Sequence, residues 1–541
     1  LYNIAVNDKT NAQAALNRYT SLVAKSAHTS IRKYQLYRRA LEIASDVKVQ
    51  NRLINLLGET HTYQALMLVE KYMDNKATAE AAAEAVRTIA SKNSENFGGE
   101  PVRKALEKAI ACFKEAGHAD AGYAIDDINA ILQRLPQAAY IPIFGNAEWT
   151  VIALNPAQKA SMNPKKIKKH EALTATTSDL WKITENGIAY TGGKNAILGT
   201  GNYENFELWF EWKGTGKAGL GVRSIRQIHL GGDKSGALSG NIKTKNTPEK
   251  VADNIAGEWN TVYVKVLNDR VTVSVNGVVT ATNIILENSC DRNIPAYVKG
   301  QLMLIGEGTP VEYREMYIRE LPSTPKFNLP AEEAKEGFEI LFDGTSMHKW
   351  TGNTTDYVPV DGTIYVTAQY GGSGNLYTVK EYSDFVFRFE FAFMREGVNN
   401  GVGIRTPMGV DAAYEGMEIQ ILDHDAPIYK GLREYQQHGS VYGIIPAKRV
   451  KFPALGEWNT EEIRAVGDRI TVTVNGEIIL DGNIREACQG HNVSEDGSTK
   501  NPHTVDRKNH PGLFNKSGHI GFLGHGAGVK FRNIRIKDLS K

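Results

Sequence analysis

The chain has 541 residues, of which 41% are hydrophobic and 23% charged, and its formal net charge is +2. That length suits about three domains with ordinary apolar cores. The balanced charge, with no basic face interleaved with aromatics, argues against nucleic acid as a partner. Three cysteines without metal-ligand spacing argue against a disulfide framework. No run is long and apolar enough to cross a bilayer. The chain opens at Leu1 without Met, so removal of an N-terminal targeting segment is expected.

Residues 1–136 read as helical. Apolar residues recur at helical spacing: Ala82, Val86, Ile89, then Val102, Leu106, Ala109, Phe113, then Ile125, Ile128, Leu132, Leu135. Pro101 sits in a predicted first turn, Gly117 at a predicted stop, and Pro136 closes the last helix. Successive short helix pairs predict an all-α solenoid of the HEAT-like kind. Such a surface packs on neighbouring domains or docks another protein.

Residues 137–321 switch to short alternating strands separated by turns rich in Gly, Asn and Asp. The run Lys165-Lys166-Ile167-Lys168-Lys169 reads as a solvated loop. Pro322 to Pro330 lies in a linker covering 322–335, and a second β region fills 336–541. Many short strands in each region predict antiparallel sandwiches or jelly rolls.

The two β regions are copies. Gly219-Leu-Gly221-Val-Arg223 matches Gly401-Val-Gly403-Ile-Arg405, and Gly-Glu-Trp-Asn-Thr occurs at 257–261 and 456–460. Asp269-Arg270 leads an alternating run into Asn276-Gly277, and Asp468-Arg469 does the same into Asn475-Gly476. Asn-Gly after such a run predicts a type I′ hairpin turn. Gly306-Glu307-Gly308 matches Gly524-His525-Gly526. Across these anchors the second copy gains 17 residues in one interval and 19 in the next. Extra loop on a shared scaffold is where binding and catalysis concentrate. Trp259 and Trp458 occur in both copies, so core packing is expected of them. Cys290 and Cys488 sit at similar points and suggest a shared packing role.

Only the second copy carries Glu415-Gly-Met-Glu418-Ile-Gln420-Ile-Leu-Asp423-His424 and Gln437-His438-Gly439-Ser440-Val-Tyr442-Gly443. Where Glu418-Ile-Gln420 would stand, the first copy has Gln227-Ile-His229, and Glu307 replaces His525. On a strand, Glu418 and Gln420 share a face, and a β-bulge would bring Asp423 to it. A carboxylate in an apolar strand is rarely kept for stability alone. Arg405 has a twin in Arg223, which leaves a structural ion pair and a catalytic role both open. Tyr442 and Trp350 are either core aromatics or platforms on which a ligand stacks. His491, His503 and His510 lie in polar loop and read as solvated.

With Gly337-Phe-Glu-Ile-Leu-Phe342-Asp343-Gly344, Tyr382-Ser-Asp-Phe385 and Gly521-Phe-Leu-Gly524-His525-Gly526, these blocks run in order across 336–541. The second copy resembles the 3-keto-disaccharide hydrolase domain family. The resemblance implies a concanavalin A-like jelly-roll sandwich, glycoside hydrolase activity on an oligosaccharide or glycoside, and a periplasmic or secreted setting. The first copy looks like a degenerate member. The Glu418-x-Gln420-x-x-Asp423 string is also similar to the E-x-D-x-x-E strand of laminarinase-like glycosidases, in which the outer carboxylates are nucleophile and acid/base.

A ketone at carbon three acidifies the hydrogen on carbon two, so removing that proton, expelling the group at carbon one and adding water hydrolyses the bond. The route needs a base, an acid and a stabiliser for the enolate. Glu418, His438, Asp423 and His424 are the catalytic candidates. Arg405, Gln420, Tyr442 and His525 are the substrate-binding candidates. A divalent cation held by Asp423, His424 and Glu418 is a further possibility. A two-carboxylate retaining glucanase-like glycosidase and a non-catalytic lectin-like protein are the competing readings.

Overall fold

A computed structural model describes residues 1–540 apart from 118–119, 155–158, 160–161, 175, 225, 241–245, 249, 289–294 and 368–373, so Cys290 lies outside the described residues. Among the described residues, eight α-helices and one short 3₁₀ helix fill the first 134 positions. Side-chain caps set several starts: Thr29 accepts from the Arg32 amide, Asp46 from Val49 and Thr62 from Ala65. Gly117, with φ 64°, ends the Gly99–Ala116 helix in the left-handed conformation that costs glycine nothing. Each helix packs on its sequence neighbour, and Val47–Gly58 also meets Ala79–Lys92. Of the predicted faces, Val86, Ile89, Val102, Leu106, Ala109 and Ile128 are inaccessible to solvent, and Ile125 and Leu132 are half-buried.

The helical layer is fixed to the first sandwich. Tyr140 and Tyr317 of the β region join the helical core. The Tyr63 hydroxyl donates to the Tyr140 carbonyl at 2.9 Å. Buried Gln35 donates to Thr261 Oγ1 at 2.9 Å and to Asn276 Oδ1 at 2.7 Å. Arg38 reaches Glu315 at 3.0 Å and Glu211 at 3.6 Å. The segment Pro164–Thr174, expected as loop, is helical, and its lysines are exposed as predicted.

Each β region is a two-sheet antiparallel sandwich of the jelly-roll kind, and the two repeat one plan. Among the described residues, each pairs an eight-stranded sheet with a five-stranded one. In the second copy the larger sheet runs from Tyr357–Val360 through Thr363–Val366, Val529–Asp538, Phe385–Phe393, Asn459–Val466 and Arg469–Val474 to Glu477–Asn483. The smaller has the order Trp350–Gly352, Leu376–Thr378, His519–Gly524, Asn399–Thr406, Met417–Leu422. Period-two alternation sends Phe385, Phe387, Phe389, Phe391 and Phe393 into the gap between sheets, where they meet Val402, Ile419, Ile421 and Phe522. Phe522 stacks on Phe531 at 3.9 Å between centroids. Trp350 belongs to this core and donates its indole N–H to the Leu341 carbonyl at 2.9 Å. No helix among the described residues is long and apolar enough to cross a membrane.

The shared blocks are scaffold devices. Asn276 and Gly277 have φ of 52° and 80°, and Asn475 and Gly476 have 49° and 84°, the positive pair that a type I′ turn demands. Trp259 and Trp458 correct the expectation of core packing. Both are half-buried on the outer sheet face, each under an arginine guanidinium 3.9 Å from its ring, Arg314 and Arg532 respectively. Asp269 and Arg270 diverge in use from their twins. The Met347 amide donates to Asp269 at 2.6 Å and Arg270 donates to the Thr354 carbonyl at 3.0 Å, tying one sandwich to the other. Asp468 and Arg469 pair instead within their own sandwich, with Arg485 and Asp481.

Asn276 also accepts from the Thr261 amide at 2.9 Å and donates to Ala252 and Asn260, each at 2.8 Å. Replacing Asn276 by Ala orphans these buried groups and strains a left-handed residue, for an expected loss of about 2–4 kcal/mol. Asn475→Ala, which has no helical partner to strand, should cost less. Urea midpoints of the two variants check the order.

Candidate active site

The strand Met417–Leu422 separates two environments. Met417, Ile419 and Ile421 enter the core, while Glu418, Gln420 and Leu422 face a cavity of about 400 Å³ on the other side. The short Ala412–Glu415 helix, capped by Asp411, lines it together with Tyr429, Gln436 and Tyr442. Asn399 and His525 line it as well. Glycine on the neighbouring strand makes the room. A Cβ added at Gly401 would come within 2.2 Å of Glu418 Oε1.

Burial dominates the electrostatics. It pushes the Glu418 carboxyl up to about 8, and the negative field of Asp411 adds to the rise. Among the described residues no hydrogen bond reaches that carboxyl, and His525 lies beside it, with Nε2 at 4.0 Å from Oε1. Partial burial holds the His525 imidazole below its ordinary value, against an opposing pull from Asp411. Gln420 donates to Asn399 Oδ1 at 3.1 Å, and its own Oε1 is buried without a partner. An orphaned acceptor beside a cavity is a position for a ligand donor. The Tyr442 hydroxyl accepts from Gln436 at 3.4 Å, which leaves its proton free to donate.

Of the sequence candidates, Glu418, Gln420, Tyr442 and His525 line this cavity, and Asp423, His424, His438 and Arg405 do not. The pairing of Asn399–Thr406 with Met417–Leu422 runs without a bulge, so Leu422 takes the third position on the cavity face. Asp423 turns away and accepts from the Gly397 amide at 2.9 Å. His424 is buried, with Nε2 donating to the Val450 carbonyl at 2.8 Å and Nδ1 accepting from the His438 amide at 3.3 Å. His438 is inaccessible to solvent; its Nδ1 accepts from the Leu422 amide at 3.1 Å and its Nε2 faces Glu461 at 3.3 Å. The polar atoms of these three side chains are directed at backbone groups and at Glu461, and the cation set of Asp423, His424 and Glu418 does not converge. Arg405 is likewise corrected. It is buried at φ 51° and donates to the Ser383 and Gly467 carbonyls and to Asp384, at 2.8, 2.7 and 3.0 Å. Arg223, at φ 49°, does the same to Glu204 and Asn205 in the first copy.

Asp411, Tyr414, Asn399 and Gln436 were not read from sequence. One signal pointed to the first two. Between the shared arginine and the next strand the second copy carries nine more residues than the first. Register supports that equivalence, because Gly403 faces Glu418 as Gly221 faces Gln227. His510, expected in solvent, is buried, and its Nδ1 donates to the Ala413 carbonyl of the cavity wall at 2.9 Å.

The pattern that defines the 3-keto-alpha-glucoside-1,2-lyase-like domain matches residues 160–319 and 337–537, which is more than half of the chain. The chain belongs to this family. It is 27% identical, over 256 residues, to a 3-keto-disaccharide hydrolase of Bacteroides thetaiotaomicron, a match covering 41% of this chain and 86% of that protein. Two crystal structures of provisionally named glycosyl hydrolases from Parabacteroides distasonis are also similar. One is 25% identical with a TM-score of 0.32, covering 37% of this chain and 99% of that one. The other is 24% identical with a TM-score of 0.33, covering 40% and 99%. Both family segments fall on the sandwiches, and the cavity lies in the second.

Two substitutions separate cavity from scaffold. Gly401→Ala should displace the Glu418 side chain while leaving the thermal midpoint nearly unchanged, read as a downward shift of the Glu418 pKa by carboxyl NMR. Arg405→Met should lower the urea midpoint, by about 2–4 kcal/mol of stability, because buried carbonyls lose a charged donor.

Proposed function

We propose that the second sandwich cleaves the glycosidic bond of a 3-keto glycoside, with His525 as base and Glu418 as acid. The observation that carries this reading is the Glu418–His525 pair. At neutral pH the carboxyl keeps its proton and the imidazole has lost its own, 4.0 Å apart in one cavity. Two neighbouring groups pushed in opposite directions are the arrangement that acid and base catalysis needs. Family membership and the 3-keto-disaccharide hydrolase relative support the substrate class.

In this reading His525 removes the proton from carbon two. The electrons of that bond form an enolate at carbons two and three, with negative charge on the carbon-three oxygen. The Asn399 amide and the Tyr442 hydroxyl are the donors within the cavity for that charge. The enolate then collapses to the ketone, a double bond forms between carbons one and two, and the leaving oxygen takes the Glu418 proton. Water adds across the double bond, its oxygen to carbon one and its hydrogen to carbon two, for a net hydrolysis. The first sandwich holds Gln227 and Glu307 at the corresponding positions, and an amide cannot supply the proton. Its role is to carry the helical layer. A periplasmic or secreted setting fits a glycan-processing protein.

Asp411 favours a second reading. It lines the same cavity and its charge acts on Glu418, so the two carboxyls form an acid and a nucleophile for an unoxidised glycoside.

Substrate choice separates the two. Methyl 3-keto-glucoside should be cleaved and methyl glucoside left intact; the reverse supports Asp411. Glu418→Gln should lower kcat on the methyl substrate by about 10²–10⁴-fold, the usual worth of a general acid, and far less on a nitrophenyl 3-keto-glucoside, whose leaving group needs no proton. Equal losses on both would sink the acid role. The pH profile follows from the two shifts. Rate should fall as pH rises through about 8, where Glu418 ionises, and fall in acid, where His525 becomes protonated.

A further inference from the structure

The segment 489–512, within the interval where the second copy gains 19 residues, brings His491, Glu495 and His503 together away from the cavity. We propose that these three residues bind a divalent transition-metal ion of the zinc class. The side-chain atoms that would ligate lie within 4.8 Å of one another. His491 Nδ1 is 3.6 Å from Glu495 Oε1, and His503 Nε2 is 3.7 Å from Glu495 Oε2. Ligand atoms around a tetrahedral zinc ion are about 3.3 Å apart, given bonds of about 2.0–2.1 Å. Closing onto an ion therefore requires only side-chain rotation.

The surroundings prepare the ligands. His503 Nδ1 lies 3.2 Å from the Gln489 side-chain oxygen. An amide oxygen only accepts, so Nδ1 carries a hydrogen, and Nε2 is the ring atom turned toward Glu495. Fixing the tautomer through the far nitrogen is how proteins orient a metal-binding histidine. Buried Asn501 sets both histidine backbones, donating to the His491 carbonyl at 2.9 Å and accepting from the His503 amide at 3.0 Å. The two imidazoles stack at 4.5 Å between centroids. The convergence of two imidazoles and one exposed carboxyl is what an ion would use. Two nitrogens and one oxygen suit zinc, with water in the remaining position.

The site would clip the segment to itself. From the same segment, Lys508 donates to the Tyr414 hydroxyl at 2.8 Å and the Gly512 amide to the Tyr414 carbonyl at 2.8 Å. Tyr414 forms part of the cavity wall. A bound ion therefore steadies the outer support of the cavity without entering it.

The test uses the full chain without a histidine tag, stripped with a chelator and titrated with zinc chloride by calorimetry, then with cobalt chloride by visible absorption. The expected result is one ion per chain, a raised thermal midpoint in zinc and the absorption bands of four-coordinate cobalt. His491→Ala and His503→Ala should each abolish saturable uptake, and His28→Ala, which alters an exposed histidine elsewhere, should retain it. Circular dichroism checks that the variants fold, and Glu495→Gln, a surface change, weakens uptake even if a histidine variant does not fold. No saturable uptake by the unaltered chain, or uptake that survives both His503→Ala and Glu495→Gln, overturns the proposal.

Discussion

The strand Met417–Leu422 is committed on both faces at once. Its odd-numbered residues complete the phenylalanine core of the second sandwich, and that fixes the register. A slip of one residue would drive Glu418 and Gln420 into that core. Given the register, the even-numbered residues must face the cavity, roofed by segments that only this copy possesses. The unusual protonation of Glu418 follows from that confinement, since a carboxyl removed from water and given no donor prefers to stay neutral.

The outer edge of that strand would be open in a bare five-stranded sheet. The segment 437–442 covers it. The Gln420 amide donates to the Ser440 carbonyl at 3.1 Å, the Gly439 amide to Gln420 at 2.8 Å, and the Tyr442 amide to Glu418 at 2.9 Å. His438 and Glu461 lie beneath, facing one another inside the sandwich. In the first copy Val262 occupies the position of Glu461 and Ser235 that of His438, because Gly236 and Ala237 cover His229 as Gly439 and Ser440 cover Gln420. The cover is thus common to both copies, and the buried His438–Glu461 pair beneath it belongs to the second alone.

Duplication here divides labour by surface. Both copies keep the Asn-Gly turn, the left-handed arginine and the Trp–Arg stack, because each solves a problem of sheet geometry. The first copy spends its Asn276 turn on the helical layer and its Asp269–Arg270 pair on the second sandwich. The second copy leaves the equivalent turn free of helices and adds loop around its smaller sheet.

Fold class, the repeat, the strand alternation and the face shared by Glu418 and Gln420 were legible in the sequence, because they depend on local spacing. Internal comparison also marked the inserts and singled out His525. What sequence could not reveal was the direction of side chains beyond the end of a strand. Asp423, His424 and His438 stand within a few residues of Glu418, yet a turn after Leu422 and a reversal at 437–439 send them under the sheet, where backbone amides and carbonyls need partners. Asp411 and Asn399 enter the cavity from separate elements, so their nearness to Glu418 exists only once the sheet is assembled. Alternation along a strand is a local rule; convergence across strands and loops is set by packing, and packing is where the tertiary structure decided the site.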